Sequence, residues 1–412
     1  MTILVVHNRY RQRGGEDSVF ESECRMLEDA GHRVIRYEKT NGDIDERGIA
    51  AKALLAARTI WNRRTCRDIR EILRREKPDV VHCHNTFPLV SPSVYWAAAR
   101  EGVPVVQTLH NYRLACLNGY LFRDGKICEA CLGRLPWGGV CRRCYRGSFQ
   151  QSAVAFAALA VHRAIGTYRR KVARYVALTD FARGKFAAAG IPAGAMVVKP
   201  NVLVEKDGGK TAAAEKTERG GDGSFAFLFL GRLSPEKGVD VLIEAWRMLC
   251  ADADAAAGGG APLPRLLVAG DGPEREALEK RAEGLPRLEF LGPVPRENVP
   301  ALLSRVSALV VPSRCYETFG LTVMEAASRG IASIVSAPGG QASLVEDGKT
   351  GMVFKTGDPA ALAGAMKKLA SDPVRARAMG AAARAACEAS ACAPGANLAA
   401  LERIYRSCAG KP

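Results

Sequence analysis

Two glutamates, Glu317 and Glu325, stand eight residues apart where the strand predicted at 308–313 leads into the helix predicted at 321–329. Free backbone amides and the positive end of the helix dipole make such a helix start favourable for a phosphate group. A carboxylate on each side can accept hydrogen bonds from hydroxyl groups attached to that phosphate. The pattern therefore predicts a site for two sugars joined by a diphosphate, with Glu325 on a ribose and Glu317 on the second sugar. The amides expected to face the phosphates are those of Phe319, Gly320 and Leu321.

A second motif supplies positive charge. An apolar strand predicted at 225–230 runs into Gly231-Arg232, and Ser234-Pro235 then has the residue types of a helix N-cap and first helical residue. Arg232 and Lys237 would both lie near the carboxyl end of this strand. Two fixed cations there could neutralise a departing diphosphate, as a divalent metal does in other enzymes. The alternative is that both are solvated surface charges, as most Arg and Lys side chains are.

Together, these segments resemble the donor site of family-4 retaining glycosyltransferases of the GT-B fold, where an E-x7-E element and an Arg…Lys pair bind a nucleotide sugar. Strand-and-turn segments at 266–273, 288–295 and 331–340 follow in the order of the family. The resemblance covers most of residues 224–385. It implies that the loop near Val294 holds the base through backbone groups.

The order of predicted elements fits this resemblance. Strands and helices alternate along both halves of the chain, which indicates parallel sheets with helices on both faces. The resemblance implies an α/β fold of two Rossmann-like domains facing across a cleft, with a C-terminal helix that crosses back to the first domain. The expected parts are an acceptor-side domain at 1–204 with a Cys-rich insertion at 113–148, a polar linker at 205–223, a nucleotide-sugar domain at 224–385 and the crossover helix at 386–412.

The first domain offers two further candidates. Gly14 and Gly15 precede a predicted helix, where glycines let backbone amides approach a ligand closely. In the family, this loop contributes to donor binding; the alternative is a plain tight turn. His110 follows an apolar strand at 103–109 and matches the family's histidine near the reacting sugar. His84 is a weaker candidate for the acceptor side.

The resemblance implies transfer of a hexosyl group from a UDP- or GDP-sugar to an acceptor hydroxyl, with retention at the anomeric carbon. The implied catalytic residues are Arg232, Lys237, Glu317 and His110. Glu317 is expected to position the sugar rather than attack it, while the departing phosphate takes the proton of the acceptor. No metal is expected in catalysis, because the Asp-x-Asp matches at 43–45 and 252–254 lie away from strand ends.

Charge is concentrated in the first half of the chain. Residues 1–204 carry a net charge of +15 and the rest +1, out of +16 in total. A basic acceptor domain suits an anionic glycan, a polyprenyl-diphosphate-linked acceptor or a membrane surface, and so suggests surface-polysaccharide or lipid-linked glycan assembly. The segment 153–174 is apolar and then basic, which fits either an interfacial helix or a buried helix with a basic end.

Length and composition give the general class. A chain of 412 residues with 48% apolar residues has enough material for two or three domains with sizeable cores. It has no run of 18 apolar residues, and its N-terminus enters a strand with no basic signal-peptide region. We therefore expect a cytoplasmic protein, peripheral on the inner face of the membrane if its charge binds lipid.

Five of the 13 cysteines lie at 116–144 and include two C-x-x-C pairs. In a cytoplasmic protein, this pattern indicates zinc rather than disulfides. The stretch resembles a bacterial subgroup of the family, which implies Cys116, Cys128, Cys131 and Cys144 as ligands of a structural zinc and leaves Cys141 spare. Unliganded thiols and an iron–sulfur cluster remain alternatives.

Three other functions compete. A GT-B sugar-nucleotide epimerase would share the fold, a basic zinc-containing nucleic-acid-binding protein would share the charge and the cysteines, and a non-catalytic scaffold would share the donor site. The donor motifs favour a transferase over the epimerase. We expect no nucleic-acid partner, because the sequence shows no aromatic-basic RNA motif and no helix-turn-helix pattern.

Overall fold

The computed structural model describes residues 1–44, 48–202, 224–255 and 263–410, with only the backbone for 253–255. The chain divides into two compact units. The first comprises Met1–Leu121, Cys128–Val204 and Ala391–Pro412, and the second comprises Phe122–Ile127 and Glu205–Ser390. The predicted linker at 205–223 lies outside the described residues.

The first unit is built on a six-stranded parallel sheet of order β2-β1-β3-β4-β7-β8. Its inner strands are short apolar runs, typical of a parallel sheet covered on both faces, and Val80, Val81 and Val106 are fully buried. The strands, numbered along the chain, are β1 (Thr2–Arg9), β2 (Arg33–Thr40), β3 (Val80–Cys83), β4 (Val105–Leu109), β7 (Arg174–Ala177) and β8 (Met196–Val198). The antiparallel hairpin of β5 (Phe122–Arg123) and β6 (Lys126–Ile127), which interrupts this part of the chain, belongs to the second unit.

Helices surround this sheet. They are α1 (Gly15–Asp29), α2 (Ile49–Ile60), α3 (Arg63–Glu76), α4 (Ser93–Arg100), α5 (Trp137–Cys141), α6 (Phe149–Ala164), α7 (Thr167–Arg170), α8 (Asp180–Ala188) and α15 (Pro394–Ala409). The last helix places Leu401, Ile404 and Tyr405 in one core cluster with Ile3 and Phe20. The C-terminal segment therefore returns to the first unit, as expected.

The second unit has a parallel sheet of order β11-β10-β9-β12-β13-β14. Its strands are β9 (Ala226–Leu230), β10 (Arg265–Ala269), β11 (Leu288–Gly292), β12 (Ala308–Val311), β13 (Ala332–Ala337) and β14 (Gly351–Lys355). Its helices are α9 (Val239–Ala255), α10 (Arg275–Arg281), α11 (Val299–Ser304), α12 (Leu321–Ser328), α13 (Pro359–Ala370) and α14 (Pro373–Ala389). Two parallel sheets flanked by helices confirm the predicted α/β class.

Two local predictions change. The helix predicted after Ser234 is a 3-10 turn, Pro235–Lys237, which ends at Gly238 before α9 begins. Gly238 has φ +70°, and a β-carbon there would lie 2.1 Å from the carbonyl oxygen of Pro312, so the close approach of the two loops requires glycine.

The segment 153–174 is not one helix. It comprises most of α6, then Gly166 in the left-handed conformation, α7 and the start of β7. Ala155, Ala158 and Leu159 of α6 are buried, which favours the buried-helix alternative over the interfacial one. Among the helices of the described residues, none combines the length and apolar character needed to cross a bilayer.

Candidate functional site

The two predicted donor motifs of the second unit meet at an ion pair. Nζ of Lys237 donates to Oε1 of Glu317 at 2.6 Å, and Oγ of Ser313 donates to the same oxygen at 2.8 Å. Burial would raise the pKa of Glu317, but Lys237 and Ser313 hold it below its ordinary value. Burial would likewise lower the pKa of Lys237, but Glu317 raises it. Both groups are therefore charged at neutral pH.

The backbone around Glu317 is fixed by its neighbours. The carbonyl oxygen of Ser313 accepts hydrogen bonds from the hydroxyls of Ser336 at 2.6 Å and Thr356 at 2.8 Å. The amide of Gly340 donates to the carbonyl oxygen of Glu317 at 2.7 Å. A β-carbon at Gly340 would lie 2.5 Å from the backbone of Thr318, so glycine is required for this contact. The loop that carries Glu317 is thus held by the ends of β13 and β14.

Glu325 lies inside α12 with only 2% of its surface exposed. Arg296 reaches it from the 3-10 turn Arg296–Asn298, two residues after Val294. Burial raises the pKa of Glu325, although Arg296 opposes the shift. Its Oε2 has no hydrogen-bond partner among the described residues. A buried carboxylate oxygen in this state is a ready acceptor for a hydroxyl donor.

The start of α12 lies between the two glutamates. Gly320 is its N-cap at φ +153°, where a β-carbon would lie 3.0 Å from that of Gln341. Phe319 is buried, and Leu321 is the first helical residue. Amides at such a start lack intrahelical acceptors. The exposed side chain of Arg232 follows β9, the strand next to β12 in the sheet.

Sequence reasoning missed Arg296 and Ser313 as partners of the two glutamates. Neither stands in a charged or glycine-rich pattern that would mark it. Ser313 ends the predicted strand four residues before Glu317, so its contact with Glu317 could have been predicted from the motif. The contact of Arg296 joins a 3-10 turn to helix α12, 29 residues further along the chain, and carries no local signal.

In the first unit, the Gly14–Gly15 loop starts α1. The amide of Gly14 donates to Oδ2 of Asp17 at 2.8 Å, and Oδ1 of Asp17 lies 2.8 Å from Nε2 of His7. The Gly14 amide is thus engaged by a carboxylate of its own helix. A donor-binding role for Gly14 and Gly15 stays a prediction.

His110 follows β4, and its Nε2 lies 3.0 Å from Nδ1 of His84. Both histidines line a pocket of the first unit, together with Arg113 and apolar residues of α6. The guanidinium of Arg113 lies over the rings of Phe87, at 4.4 Å, and Tyr145, at 5.1 Å. Burial holds the pKa of His110 well below its ordinary value, so its ring is neutral at neutral pH.

Comparison with known proteins assigns the family. The model of the family Glycosyl transferases group 1 matches residues 213–386, and that of the Glycosyl transferase 4-like domain matches residues 14–202. The crystal structure of Anabaena HepE in complex with UDP superposes with a TM-score of 0.67 at 17% identity, over 98% of this chain and 99% of that one. The chain belongs to the glycosyltransferases of the GT-B fold. The match favours the transferase prediction over the epimerase and the nucleic-acid-binding protein.

Two curated relatives of this GT-B chain are bacterial. It is 30% identical to D-inositol 3-phosphate glycosyltransferase of Streptomyces avermitilis, over 74% of this chain and 60% of that protein. It is 32% identical to the GDP-mannose-dependent alpha-(1-6)-phosphatidylinositol monomannoside mannosyltransferase of Mycolicibacterium smegmatis, over 50% of this chain and 55% of that protein. The matched region therefore spans little more than half the length of these relatives.

Four thiols of the cysteine-rich segment of this GT-B chain interact electrostatically. Burial raises the pKa of Cys131 to about 11, and the neighbouring thiols of Cys116, Cys128 and Cys144 add to the shift. Cys141 is exposed. Among the described residues, no three of these four sulfur atoms lie within 4.8 Å of one another, so a shared metal site stays a prediction. Four thiolates are a donor set that suits zinc.

The opposite pKa shifts of the two glutamates predict opposite effects of Glu→Gln substitution on the melting temperature. Glu317, with a lowered pKa, stabilises the fold at neutral pH, and this contribution fades as the pH falls through its folded pKa. Glu317→Gln should cost about 2 kcal/mol, or roughly 4–8 °C. Glu325, with a raised pKa, opposes folding above its folded pKa, so Glu325→Gln should melt at or above the wild-type temperature.

Glu346→Gln, at an exposed pair with Lys349, supplies the control and should shift stability by less than about 0.5 kcal/mol. Thermal unfolding at pH 7 measures all three variants. A lower melting temperature for Glu325→Gln than for Glu317→Gln would contradict the opposite pKa shifts of the two glutamates.

Proposed function

We propose that this protein is a retaining glycosyltransferase that moves a sugar from a nucleotide diphosphate sugar to an acceptor hydroxyl. The observation that carries the proposal is the pair of glutamates, Glu317 partly buried and Glu325 buried, on either side of the α12 start. Glu317 is ionised and fixed by Lys237, whereas Glu325 keeps an oxygen without a hydrogen-bond partner among the described residues. A nucleotide sugar has phosphates for the helix start and hydroxyls for both carboxylates.

Arg232, Lys237 and the amides at Gly320 and Leu321 would stabilise negative charge on the departing diphosphate. They act without a metal ion in this proposal. The ammonium of Lys237 serves both the diphosphate and Glu317. Since it already lies 2.6 Å from a carboxylate, it is held in place before the substrate arrives. Such preorganisation lowers the barrier because no reorientation is needed during the reaction.

Glu317 is a positioning group rather than a nucleophile. Its Oε1 accepts from both Lys237 and Ser313, and its lowered pKa reflects this stabilisation of the negative charge. A carboxylate stabilised by two donors is a weakened nucleophile but remains an acceptor for sugar hydroxyls. The acceptor proton would leave on the departing phosphate. Retention would appear as an α-configured sugar, seen by NMR, when the protein first hydrolyses an α-linked donor.

The donor is expected to carry UDP or GDP. A solved structural neighbour is described with UDP and a curated relative as GDP-mannose-dependent, and Val294 lies in the loop assigned to the base. For the acceptor, we propose the pocket of the first unit that holds His110 and Arg113. Its cation and the +15 charge of residues 1–204 suit an anionic glycan or a polyprenyl-diphosphate-linked acceptor.

A thermal-shift panel with UDP, GDP, ADP and dTDP, each with and without EDTA, tests the donor site. A nucleotide at a hundred times its dissociation constant should stabilise by about 2.7 kcal/mol. We expect one nucleotide to give the largest shift in melting temperature, and we expect that shift to be the same with and without EDTA. Arg232→Ala should reduce that shift, whereas Arg265→Ala, at the opposite end of the sheet, should preserve it. No shift with any nucleotide, or one abolished by EDTA, would contradict the proposal.

We also propose that the first unit associates peripherally with an anionic membrane through its α2–α3 surface, formed by helices α2 and α3, Trp61 between them and Arg100. Helix α2 is mainly apolar yet exposed: Ile49 is 89% and Leu54 49% accessible. A groove that starts at Trp61, directly after this helix, is lined mostly by arginines: Arg63, Arg67, Arg70, Arg74 and Arg100, with Trp61, Cys66 and Glu71. Exposed apolar side chains on one helix and an arginine-lined groove on the next match the chemistry of an interface with anionic lipid.

Vesicle sedimentation tests this surface. Replacing both Arg63 and Arg67 by Ala should weaken binding to anionic vesicles by about 2 kcal/mol, or roughly 30-fold, at about 1 kcal/mol per charge. The double replacement of the exposed Arg375 and Arg377 of α14 changes the net charge equally and should leave binding intact. Equal losses in both variants, or no preference for anionic over neutral vesicles, would refute the α2–α3 surface.

Finally, we propose a structural zinc held by Cys116, Cys128, Cys131 and Cys144. The ion would supply folding stability to the insertion at 113–148 and take no part in the reaction. What supports this is the donor set of four thiols in one short segment, in which Cys116, Cys128 and Cys144 interact electrostatically with Cys131. In an intracellular protein, such thiols hold metal more often than they pair.

Elemental analysis should find about one zinc per chain, since four thiolates complete a tetrahedral site. Cys131→Ser should lower the zinc content and the melting temperature, because a structural ion contributes to folding. Cys141→Ser is the control, because Cys141 lies in the same segment but is exposed and is not a predicted ligand. This variant should keep both the zinc content and the melting temperature. Iron in place of zinc, or equal metal content in the two variants, would overturn the assignment.

A further inference from the structure

Four of the six histidines of this chain meet in the first unit. His7 belongs to β1 and His82 to β3, and His84 and His110 follow β3 and β4. The rings of His82 and His84 lie 4.4 Å apart, and those of His84 and His110 stack at 5.2 Å. These strands are neighbours in the sheet, so their carboxyl ends bring the rings together. The acceptor assignment uses His110 but leaves the other three unexplained.

Two buried carboxylates contact this cluster: Asp17 contacts His7, and Glu23 of α1, which is 1% exposed, faces His84. Oε1 of Glu23 accepts from Nζ of Lys199 at 2.6 Å, and that ammonium also donates to Oδ1 of Asn397 at 2.8 Å. Burial would raise the pKa of Glu23, but Lys199 and His84 hold it well below its ordinary value. Glu23 is therefore a buried carboxylate anion.

The second oxygen of Glu23 faces His84. Oε2 lies 3.3 Å from Nε2 of His84, and neither atom has a hydrogen-bond partner among the described residues. A lone pair on Nε2 would face the negative oxygen, which is repulsive at this distance. A proton on Nε2 would instead be attracted to it. The carboxylate therefore selects the Nε2–H tautomer of His84.

That choice passes to the next ring. A neutral His84 protonated on Nε2 has a lone pair on Nδ1, which lies 3.0 Å from Nε2 of His110. His110 must then donate from Nε2, and its own lone pair is on Nδ1. Lys199 and His84 thus both donate to Glu23, and His110 donates to His84, so the hydrogen bonds on both sides run toward the carboxylate. Each link fixes the tautomer of the next.

We propose that Glu23, acting through His84, sets the tautomer of His110, with the proton on Nε2 and the lone pair on Nδ1. This inference rests on the proposed function, in which His110 lines the acceptor pocket. A glycan acceptor presents hydroxyl groups, which are donors for such a nitrogen. Glu23 and His84 are then positioning residues, because they reach the ligand only through His110.

A metal site is the competing interpretation, since ligand atoms of Glu23, His82 and His84 lie within 4.8 Å of one another. Two observations oppose it. Both nitrogens of His82 are engaged, Nδ1 with the hydroxyl of Tyr405 at 2.7 Å and Nε2 with that of Thr108 at 2.8 Å. The ammonium of Lys199 on Glu23 would also repel a cation.

Nitrogen-15 NMR of histidine-labelled protein tests the chain directly, because two-bond correlations show which ring nitrogen carries the proton. The wild type should show Nε2–H tautomers for both His84 and His110, with His84→Asn and His110→Asn used for assignment. Glu23→Gln removes the negative charge and should shift both rings away from the pure Nε2–H form. Glu28→Gln, on the same helix but at an exposed pair with Arg36, should change neither.

A proton on Nδ1 of His110 in the wild type would overturn the proposal, and so would unchanged tautomers in a folded Glu23→Gln variant. Stoichiometric metal that is retained in Cys131→Ser but lost in Glu23→Gln would favour the metal site instead. The wild-type spectrum decides the tautomers even where Glu23→Gln fails to fold. The measurement uses no donor and no acceptor, so its failure is separate from a failure of the nucleotide panel.

Discussion

The ion pair between Lys237 and Glu317 joins two motifs that are 80 residues apart in the chain. It exists because the sheet places β9 beside β12, so that the loops after both strands leave the same edge. Gly238 completes the approach, since any side chain there would meet the carbonyl oxygen of Pro312. Two partly buried charges without each other would each be costly, whereas the pair with Ser313 satisfies both. The helix start, the glycine turns and Glu325 are arranged around this fixed point.

Glu325 shows the opposite use of burial. Its raised pKa means that the fold tolerates an ionised carboxylate that it does not fully satisfy. Such a group opposes stability in the empty protein and gains its partners when a ligand supplies hydroxyls. In the first unit, Glu23 resembles Glu317 because a lysine, Lys199, compensates its negative charge. The remaining oxygen of Glu23 constrains a histidine, His84. A buried carboxylate thus offers an acceptor for ligand hydroxyls in the second unit and orients a histidine in the first.

Much of the fold was predictable because parallel strands are buried on both faces and read as apolar runs, as at 226–230 and 308–311. The donor-site residues could be predicted from the sequence because they lie within two short motifs. The contact of Arg296 with Glu325 and the chain from Lys199 to His110 depend on tertiary packing, which no local pattern encodes. Local composition also fails to predict the exposure of α2. Its apolar composition indicates burial, yet Ile49 and Leu54 are exposed.

The most direct test is a crystal structure of the protein with the nucleoside diphosphate that stabilises it most. We predict the diphosphate at the start of α12, in contact with Arg232 and Lys237, and the ribose hydroxyls on the open oxygen of Glu325. That result would establish the second unit as the donor site. A nucleotide bound elsewhere, with Glu325 and Lys237 untouched, would contradict the assignment of both motifs and the glycosyl transfer built on them.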